Sequence, residues 1–455
     1  MTSYESVHLV GVGGAGMSGI ARILLARGSR VSGSDAKDSM AVRALTALGA
    51  TVHVGHDASH VPPDATVVVV SSAIRTDNPE VVAAQSRGIP VEPRAAALAA
   101  LMEGYRGVAV AGTHGKTTTT SMLTVALQSC GVDPSFAIGG DLNEAGSNAH
   151  HGSGDVFVAE ADESDGSFLR YSPAAAVITN VEPDHLDHYG DAATYHRAFA
   201  EFAARAGDLL VVCADDRGAM AAASSATAKV VTYGTAPDAD LRIESVMLTG
   251  ARSSFTLVDR GRRLGVFWLS VPGRHNVLNA AAAVAVGTGL GFPVAELREG
   301  LRSFRGARRR FEARGEARGV RVFDDYAHHP TELVATLQAA RTVAGRGRLV
   351  VAFQPHLYSR TEAFAQEFGE ALGLADEVVV MEVYGAREDP VAGVSGRIVA
   401  AAVPLAPEHV VFEPSWSAVA GRLAARAEPG DVILTLGAGD VTQLAPEILG
   451  ALESR

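Results

Sequence analysis

The sequence predicts an α/β protein of three domains, each built around a mostly parallel β-sheet. Its length of 455 residues is enough for about three domains of ordinary size. Short apolar runs of strand length alternate with longer helical stretches, as they do in parallel α/β folds. Two glycine-rich segments each lie between an apolar run and a helical stretch, which is the usual place of a phosphate-binding loop.

The apolar runs that we expect to form strands are spread over the whole chain: 7–10, 67–70, 108–111, 156–159, 176–179, 209–213, 349–353, 378–383, 410–412 and 432–436. The helical pattern breaks near residue 103, and a basic, glycine-containing stretch at 304–319 is typical of a linker. We therefore predict domains at 1–103, 104–312 and 313–455. Residues 229–271 lack helical periodicity, and we expect them to form an antiparallel appendage on the central sheet.

Composition excludes several classes of protein. The formal net charge is −12, which makes the chain a poor general binder of nucleic acid or of an anionic membrane. No apolar run reaches the roughly 18 residues of a membrane helix, and the first residues carry no basic region typical of a secretory signal. We expect a cytoplasmic protein with no membrane insertion. The two cysteines are far apart in apolar surroundings and predict buried thiols.

The first glycine-rich segment predicts a Rossmann-like domain that holds a diphosphate. It follows the apolar run 7–10 and opens a helical stretch, and its residues are Gly11, Gly13, Gly14, Ala15 and Gly16. Glycines allow a tight turn there, and the helix N-terminus attracts the negative charge of the diphosphate. Asp35 lies about 20 residues further on, where a ribose-binding acid is often found. This motif alone leaves NAD and other diphosphate ligands equally open.

The second segment predicts a phosphate loop for ATP. It consists of Gly112, Thr113, His114, Gly115, Lys116, Thr117 and Thr118. Backbone N–H groups of such a loop surround phosphate oxygens, the lysine adds a positive charge, and the threonine hydroxyl binds Mg²⁺. The loop is a variant, because Val110 stands where the usual pattern has glycine. Lys116 is one of only three lysines in the chain.

Polar clusters follow the next two predicted strands. The first contains Glu160, Asp162, Glu163 and Asp165, and the second contains Asn180, Glu182, Asp184, His185, Asp187 and His188. Carboxylates at a strand end beside a phosphate loop are typical Mg²⁺ ligands. A solvated acidic turn would also explain the first cluster. The histidine spacing of the second would suit a zinc or iron hydrolase.

Three further motifs predict ligand contacts. Asn276 and Asn279 lie on one face at a helix start, where they would either cap the helix or contact a base or ribose. In the third domain, residues 324–330 and 353–360 place Asp, Tyr, His and Arg after successive strands. The carboxyl ends of strands are where open α/β sheets bind ligands.

Together these motifs resemble the Mur ligase family over essentially the whole chain. The resemblance lies in GVGGAGMSG, SSAIRTDNPE, GTHGKTTTT, AEADESD, TNVEPDHLDHYG, GRHNVLNA, RRFE, DDYAHHPTE and FQPHLYSRT. It implies a UDP-sugar domain of Rossmann-like fold, a central ATPase domain and a C-terminal Rossmann-like domain. The first glycine loop would then bind UDP and not NAD.

The resemblance also implies an activity and its residues. ATP would phosphorylate the carboxylate of UDP-N-acetylmuramate, and the amine of L-alanine would attack the acyl phosphate, as the first amino-acid addition in peptidoglycan precursor synthesis. Lys116, Glu160 and His185 would be catalytic, and Thr117, Glu160 and His185 would hold Mg²⁺ or Mn²⁺. ATP would also contact Asn276, Asn279, Arg310 and Asp325. Ser71 and Ser72 would lie on the UDP-sugar side, and Tyr326, His356 and Arg360 would bind the amino acid.

Two departures from related ligases stand out. Leu357 replaces an arginine that family members often carry near the amino acid. Several sister ligases that add later amino acids use a carbamoylated lysine to position Mg²⁺. No lysine lies between Lys116 and Lys229 here, which agrees with the alanine-adding branch. His185, His356 or a phosphate oxygen would accept the proton of the incoming amine.

Three alternatives remain at this stage. They are a murein peptide ligase that attaches a tripeptide to the same sugar, an NAD-linked oxidoreductase with an accessory ATP domain, and a non-catalytic nucleotide sensor. Because the motifs lie on three separate blocks, we also expect the domains to close when ATP and sugar bind.

Overall fold

The apolar runs of the sequence form strands of three separate sheets. The structure, a computed structural model, describes residues 3–71, 73–140, 142, 147–386 and 388–455, apart from the side chain of Asp187. Nine of the ten runs predicted to be strands are strands or lie largely within one, and the run 378–383 forms a strand only at 378–380. The α/β class with mostly parallel sheets is therefore confirmed.

The first sheet has five parallel strands in the order β3-β2-β1-β4-β5. Its strands are β1 Ser6–Val10, β2 Arg30–Asp35, β3 Thr51–Val54, β4 Val67–Val70 and β5 Val91–Pro93, and its helices are α1 Ala15–Ala26, α2 Met40–Ala47, α3 Pro79–Ser86 and α4 Arg94–Met102. The strand order reverses between β1 and β4. Ligands of open α/β sheets bind beyond the carboxyl ends of strands at such a point.

The second sheet has ten strands in the order β15-β14-β13-β12-β11-β10-β6-β9-β7-β8. The strands are β6 Arg106–Ala111, β7 Ser135–Ala137, β8 Ala149–His150, β9 Val156–Glu160, β10 Ala175–Ile178, β11 Leu209–Cys213, β12 Lys229–Gly234, β13 Leu241–Thr249, β14 Arg252–Asp259 and β15 Arg262–Leu269. The helices are α5 Lys116–Ser129, α6 Leu186–Tyr189, α7 Ala192–Ala204, α8 Arg217–Ala223, α9 Arg274–Gly289 and α10 Val294–Ser303. Strand β6 lies between β9 and β10 and is parallel to both.

The antiparallel appendage is shorter than the predicted range 229–271. Strand β12 is parallel to both β11 and β13, so this part of the prediction was wrong. Strands β13, β14 and β15 are sheet neighbours joined by links of two residues, which only antiparallel strands allow. The second link, Arg260-Gly261, has positive φ at both residues, as the favoured hairpin turn requires.

The third sheet has six strands in the order β16-β17-β21-β18-β19-β20. They are β16 Glu312–Ala317, β17 Val320–Asp325, β18 Leu349–Phe353, β19 Glu377–Val380, β20 Val410–Phe412 and β21 Val432–Leu436. The helices are α11 Pro330–Ala344, α12 Tyr358–Ala363, α13 Ala365–Leu372, α14 Gly396–Ala402, α15 Trp416–Arg426 and α16 Leu444–Glu453. The linker predicted at 304–319 was partly wrong, because β16 pairs antiparallel with β17 at the edge of this sheet.

A buried carboxylate organises the polar interior of the first sheet. Glu80 accepts hydrogen bonds from Ser34 Oγ and the Asp57 N–H, at 2.5 and 3.1 Å. Its Oε2 lies 3.2 Å from His8 Nε2, and its Oε1 lies 3.3 Å from His60 Nδ1. Burial opposes its ionisation, but these partners, His8 foremost, lower the pKa of Glu80 to about 2. The carboxylate is therefore charged at neutral pH.

The chain divides into two compact units. The first contains residues 1–244, 256–267 and 278–303, and the second contains 245–255, 268–277 and 304–455. The first two sheets belong essentially to the first unit and the third sheet to the second. The domain limits predicted at residues 103 and 312 stay a prediction.

Candidate active site

The first glycine loop lies where the first sheet reverses its strand order. Gly11 follows β1 with φ +81°, and a Cβ there would come within 3.2 Å of the Ser71 Cβ. The Ser71 N–H also donates to the Val10 carbonyl at 3.2 Å. The structure therefore brings Ser71 to the loop, as predicted for one binding site, whereas Ser72 lies outside the described residues.

The rest of this loop turns into helix α1. Gly14 is the N-cap residue, so Ala15 and Gly16 lie in the first turn, where backbone N–H groups have no preceding helical carbonyl. Asp35 ends β2 as predicted, and its Oδ2 accepts a 2.8 Å hydrogen bond from the Gly13 N–H. In this structure Asp35 therefore stabilises the glycine loop through this hydrogen bond.

The phosphate loop connects β6 to α5 and requires glycine at both ends. Gly112 has φ +138°, and a Cβ there would lie 1.9 Å from Thr179 Oγ1. Gly115 has φ +83°, and its Cβ would lie 2.6 Å from Asn279 Oδ1. The structure therefore places Asn279, a predicted ATP contact, directly at the loop.

Residues after β10 fix the middle of the phosphate loop. The Asn180 Oδ1 accepts from the His114 N–H at 2.8 Å, and the His114 ring forms a short contact with Glu182. Thr113 Oγ1 lies 2.9 Å from the Tyr195 hydroxyl. The polar residues after the strand thus support the loop, and Tyr195 was not anticipated from the sequence.

Lys116 directs its ammonium toward the loop and a buried carboxylate. Its Nζ donates to the carbonyls of Gly112 at 2.7 Å and Thr113 at 3.1 Å, and it lies 2.7 Å from Glu163 Oε2. Burial lowers the pKa of Lys116, but Glu163 and Asp162 more than compensate and raise it above its ordinary value. Lys116 therefore stays charged at neutral pH. Burial also raises the pKa of Glu163, which the ion pair opposes.

Thr117 and Glu160 meet at the start of α5. The Thr117 hydroxyl donates to Glu160 Oε1 at 3.0 Å, and the Gly139 N–H donates to Glu160 Oε2 at 2.6 Å. Thr118 is buried in the same helical turn. A hydroxyl and a carboxylate are hard oxygen donors, which suit Mg²⁺ better than a soft metal ion.

His185 lies near the pair formed by Lys116 and Glu163. It precedes α6 with φ +52°, a conformation uncommon outside glycine. Its Nε2 lies 3.6 Å from Asp184 Oδ2 and 4.0 Å from Glu163 Oε1. The three residues predicted to be catalytic thus belong to one polar region of the first unit.

In the second unit, Asp325 connects three segments of backbone. It ends β17 and accepts from the Phe311 N–H at 2.7 Å and from the Ala327 N–H at 2.8 Å. Burial raises its pKa to about 6, against the opposing charge of Arg310. Arg310 Nη1 lies 3.9 Å from Glu332 Oε1. Asn276, another predicted ATP contact, donates its Nδ2 to the Pro272 carbonyl at 2.7 Å and lies inside α9, so it does not cap that helix.

The residues predicted to bind the amino acid lie along a row of rings. Tyr326 contacts His328, and His328 contacts His356, with ring centroids 5.2 and 6.0 Å apart. His356 stacks in turn on Tyr384 at 5.8 Å. Arg360 is buried in the first turn of α12.

Leu357 precedes that turn in an unusual conformation. It is a buried residue with φ +69°, a value that costs a branched side chain energy. Its N–H donates to the Tyr384 carbonyl at 3.0 Å, which stabilises the turn. The Leu357 side chain therefore packs inside the protein.

Arg309 is a residue that the sequence analysis missed. Its Nη2 donates to the carbonyls of Gly437 at 2.6 Å and Gly439 at 3.0 Å. Its guanidinium lies 4.8 Å from the centre of the Tyr326 ring. Arg309 thus links the loop after β21 to Tyr326. Its position in RRFE was the available signal, but only Arg310 was singled out.

Comparison with known proteins follows the same three parts of the chain. Residues 6–106 match the family description "Mur ligase family, catalytic domain", residues 110–287 match "Mur ligase middle domain", and residues 309–439 match "Mur ligase, glutamate ligase domain". A relative from Saccharopolyspora erythraea is 60% identical over 99% of this chain and 94% of its own length. One from Acidothermus cellulolyticus is 61% identical over 98% of this chain and 95% of its own. Both are named UDP-N-acetylmuramate–L-alanine ligase.

The chain belongs to the Mur ligase family. Two solved structures of Mur ligases share its fold. The UDP-N-acetylmuramate–alanine ligase of Thermotoga maritima has a TM-score of 0.83 and 32% identity, and 99% of each chain is covered. A murein peptide ligase of Psychrobacter arcticus has a TM-score of 0.73 and 25% identity over 99% of each chain. Among the described residues of this Mur ligase, no helix is long and apolar enough to cross a membrane.

Proposed function

We propose that this Mur ligase joins L-alanine to the carboxylate of UDP-N-acetylmuramate at the expense of ATP. The observation that carries the proposal is the meeting of Lys116 with Glu163, and of Thr117 with Glu160, in the unit that also holds the first glycine loop. The candidate binding sites of the anionic sugar and of the phosphoryl donor would therefore lie in the same compact unit. The names of relatives at 60% and 61% identity support the choice of substrates.

The first domain, residues 1–103 in our proposal, would bind the sugar nucleotide. Its diphosphate would lie at the first turn of α1, beside Gly13 to Gly16, and Ser71 and Ser72 would contact the sugar nucleotide. The open N–H groups of a helix N-terminus favour this charge. The same geometry suits NAD, so the glycine loop alone does not decide the substrate.

The central domain, residues 104–312, would bind ATP. The loop from Gly112 to Thr118 would surround the phosphates, and Asn276, Asn279, Arg310 and Asp325 would contact the rest of the nucleotide. The ammonium of Lys116 is charged and would neutralise charge on the transferred phosphoryl group. Thr117, Glu160 and His185 are the residues that would hold Mg²⁺, which supplies further positive charge when bound.

The reaction needs activation because a carboxylate is a poor electrophile. A carboxylate oxygen of the sugar would attack the γ-phosphorus and release ADP. The amine of L-alanine would then attack the acyl carbon, lose a proton, and expel phosphate from the tetrahedral intermediate. In residues 313–455, Arg360 would pair with the alanine carboxylate, while Tyr326 and His356 would line its pocket. Because ATP and the nucleotide sugar are cytoplasmic metabolites, we place the enzyme in the cytoplasm.

The test is phosphate release from ATP with Mg²⁺ and UDP-N-acetylmuramate, with and without L-alanine, and mass spectrometry of the sugar product. We expect sustained phosphate release only with both substrates, and a sugar product that has gained one alanyl residue. Activity with the tripeptide in place of L-alanine would indicate a murein peptide ligase instead. Phosphate release that does not depend on UDP-N-acetylmuramate would overturn the proposal.

A further inference from the structure

Arg94 lies beside the first glycine loop and pairs with a residue of the acidic cluster that follows β9. It is the first residue of α4, and its guanidinium lies against the first turn of α1. A Cβ on Gly16 would come within 2.2 Å of Arg94 Nη1 and 3.0 Å of its Cδ. Glycine at position 16 is therefore needed to make room for this side chain.

A positively charged side chain such as Arg94 is unusual beside the N-terminal turn of a helix. The N-terminal turn of a helix already carries positive partial charge, so a guanidinium there is unfavourable by itself and attracts anions strongly. The side chain of Arg94 is 27% exposed, and that of its partner Asp162 is 36% exposed. A bound oxyanion can therefore reach the guanidinium.

Asp162 connects Arg94 to the acidic cluster that follows β9. Arg94 Nη2 donates to Asp162 Oδ2 at 3.1 Å, and Asp162 Oδ1 accepts from the Ser164 N–H at 3.1 Å. Asp162 follows β9, two residues after Glu160. The next residue, Glu163, pairs with Lys116 of the phosphate loop at 2.7 Å.

Packing holds this arrangement in place. Leu98 and Leu101 of α4 belong to the same apolar core as Phe168 and Tyr171, which follow the acidic cluster. The Asn148 amide also donates to the Ala15 carbonyl in the first turn of α1. Residues of the central part of the chain therefore contact both α4 and the start of α1.

We propose that Arg94 is a positioning residue that binds an oxyanion of the sugar nucleotide, and that Asp162 orients it. The inference rests on the proposed function. An arginine between the glycine loop and the acidic cluster that follows β9 would hold the sugar so that its carboxylate faces the ATP side. Two oxyanions of the same ligand are candidates, the diphosphate and the muramyl carboxylate.

The experiment compares Arg94→Gln, Asp162→Asn and the double variant with the unchanged enzyme. We expect Arg94→Gln to raise the KM for UDP-N-acetylmuramate about 10-fold or more, with the KM for ATP changed by less than about 3-fold. Asp162→Asn should also raise the KM for UDP-N-acetylmuramate. Asp162 lies two residues after Glu160, yet we do not expect its effect to be confined to the KM for ATP. The double variant should be no worse than Arg94→Gln, because the two residues act as a pair.

Binding measurements separate the two oxyanions and exclude a purely structural effect. UDP-N-acetylglucosamine carries the diphosphate but lacks the carboxylate. If Arg94→Gln weakens both ligands equally, the guanidinium binds the diphosphate; if it weakens only UDP-N-acetylmuramate, it binds the carboxylate. Arg94→Lys should restore part of the affinity. The control is Arg30→Gln, which removes an exposed pair with Asp64 at the amino end of β2, whereas the glycine loop follows the carboxyl end of β1.

Unchanged affinity for both ligands in a folded Arg94→Gln protein, or an Asp162→Asn effect confined to the KM for ATP, would overturn the inference. A thermal unfolding curve shows whether each variant is folded. Absence of ligase activity in the enzyme without any substitution would instead refute the proposed function. The two failures are therefore distinguishable.

Discussion

Lys116 is the residue on which ATP chemistry depends most directly. We predict that Lys116→Ala abolishes ligation and leaves the affinity for UDP-N-acetylmuramate nearly unchanged. Its ammonium contacts phosphate-loop carbonyls and Glu163, whereas the sugar is expected at the first glycine loop. Removing the ammonium removes charge needed by the transferred phosphoryl group, an effect typically of 100-fold or more in kcat, about 3 kcal/mol. Product formation and calorimetric sugar binding measure the two effects separately.

The matched control is Lys229→Ala. Lys229 is exposed at the start of β12, so its removal should change neither measurement. If Lys116→Ala weakened sugar binding as much as it weakened ligation, the division of substrates between the two loops would be wrong.

At the residue scale, the sequence could predict loops but not long-range pairs. Lys116 and Thr117 were predicted because neighbours along the chain make a phosphate loop. Arg94 and Asp162 are 68 residues apart, and only the folded chain brings them within 3.1 Å. Arg309 and Gly439 are 130 residues apart in the sequence, and their hydrogen bond likewise forms only in the folded chain. Contacts of this kind depend on strand order, which local patterns do not contain.

At the element scale, buried strands were predictable, whereas several exposed strands were not. Central parallel strands such as β6 are apolar on both faces and form continuous apolar runs. Strand β16 has the sequence EARGEA and is mostly exposed, so it resembles a linker. Strand β12 starts with Lys229 and is only half-buried. It lies in the range 229–271, whose lack of helical periodicity predicted antiparallel strands, although β12 is parallel to its neighbours. Exposure weakens the apolar pattern from which strands are predicted.

The turn between β6 and α5 is an element that tolerates only glycine at its first position. We predict that Gly112→Ala destabilises the fold by about 2–4 kcal/mol and removes ligase activity, since the new Cβ combines strained backbone with overpacking. The Cβ would lie 1.9 Å from Thr179 Oγ1 at φ +138°. Thermal unfolding and the phosphate-release assay measure the two losses.

A second glycine provides the comparison for that variant. Gly421 lies inside helix α15, and a Cβ there would meet no atom within 4 Å. Gly421→Ala should raise stability by about 0.5–1 kcal/mol, because alanine favours the helix. Equal stability of the two variants would mean that the geometry of the phosphate-loop turn does not restrict position 112.

At the scale of the whole molecule, most of the predicted motifs follow a parallel strand of one of the three sheets. The glycine loop follows β1, the phosphate loop follows β6, and Asp325 ends β17. This regularity explains why the sequence predicted the fold class and much of the candidate site without knowing the strand order. The carboxyl end of a strand can be recognised from the chain, because an apolar run ends there in polar residues.

The candidate residues belong to both compact units, and this leads to a prediction about motion. Lys116 lies in the first unit, and Arg360 lies in the second. Amide formation requires the reacting atoms of their ligands to approach within about 3–3.5 Å. We predict that a non-hydrolysable ATP analogue with Mg²⁺ and UDP-N-acetylmuramate reduces the radius of gyration in solution scattering. Either ligand alone should have a smaller effect, and Lys116→Ala should diminish the change. Identical profiles with and without both ligands would show that the units need no rearrangement for the reaction.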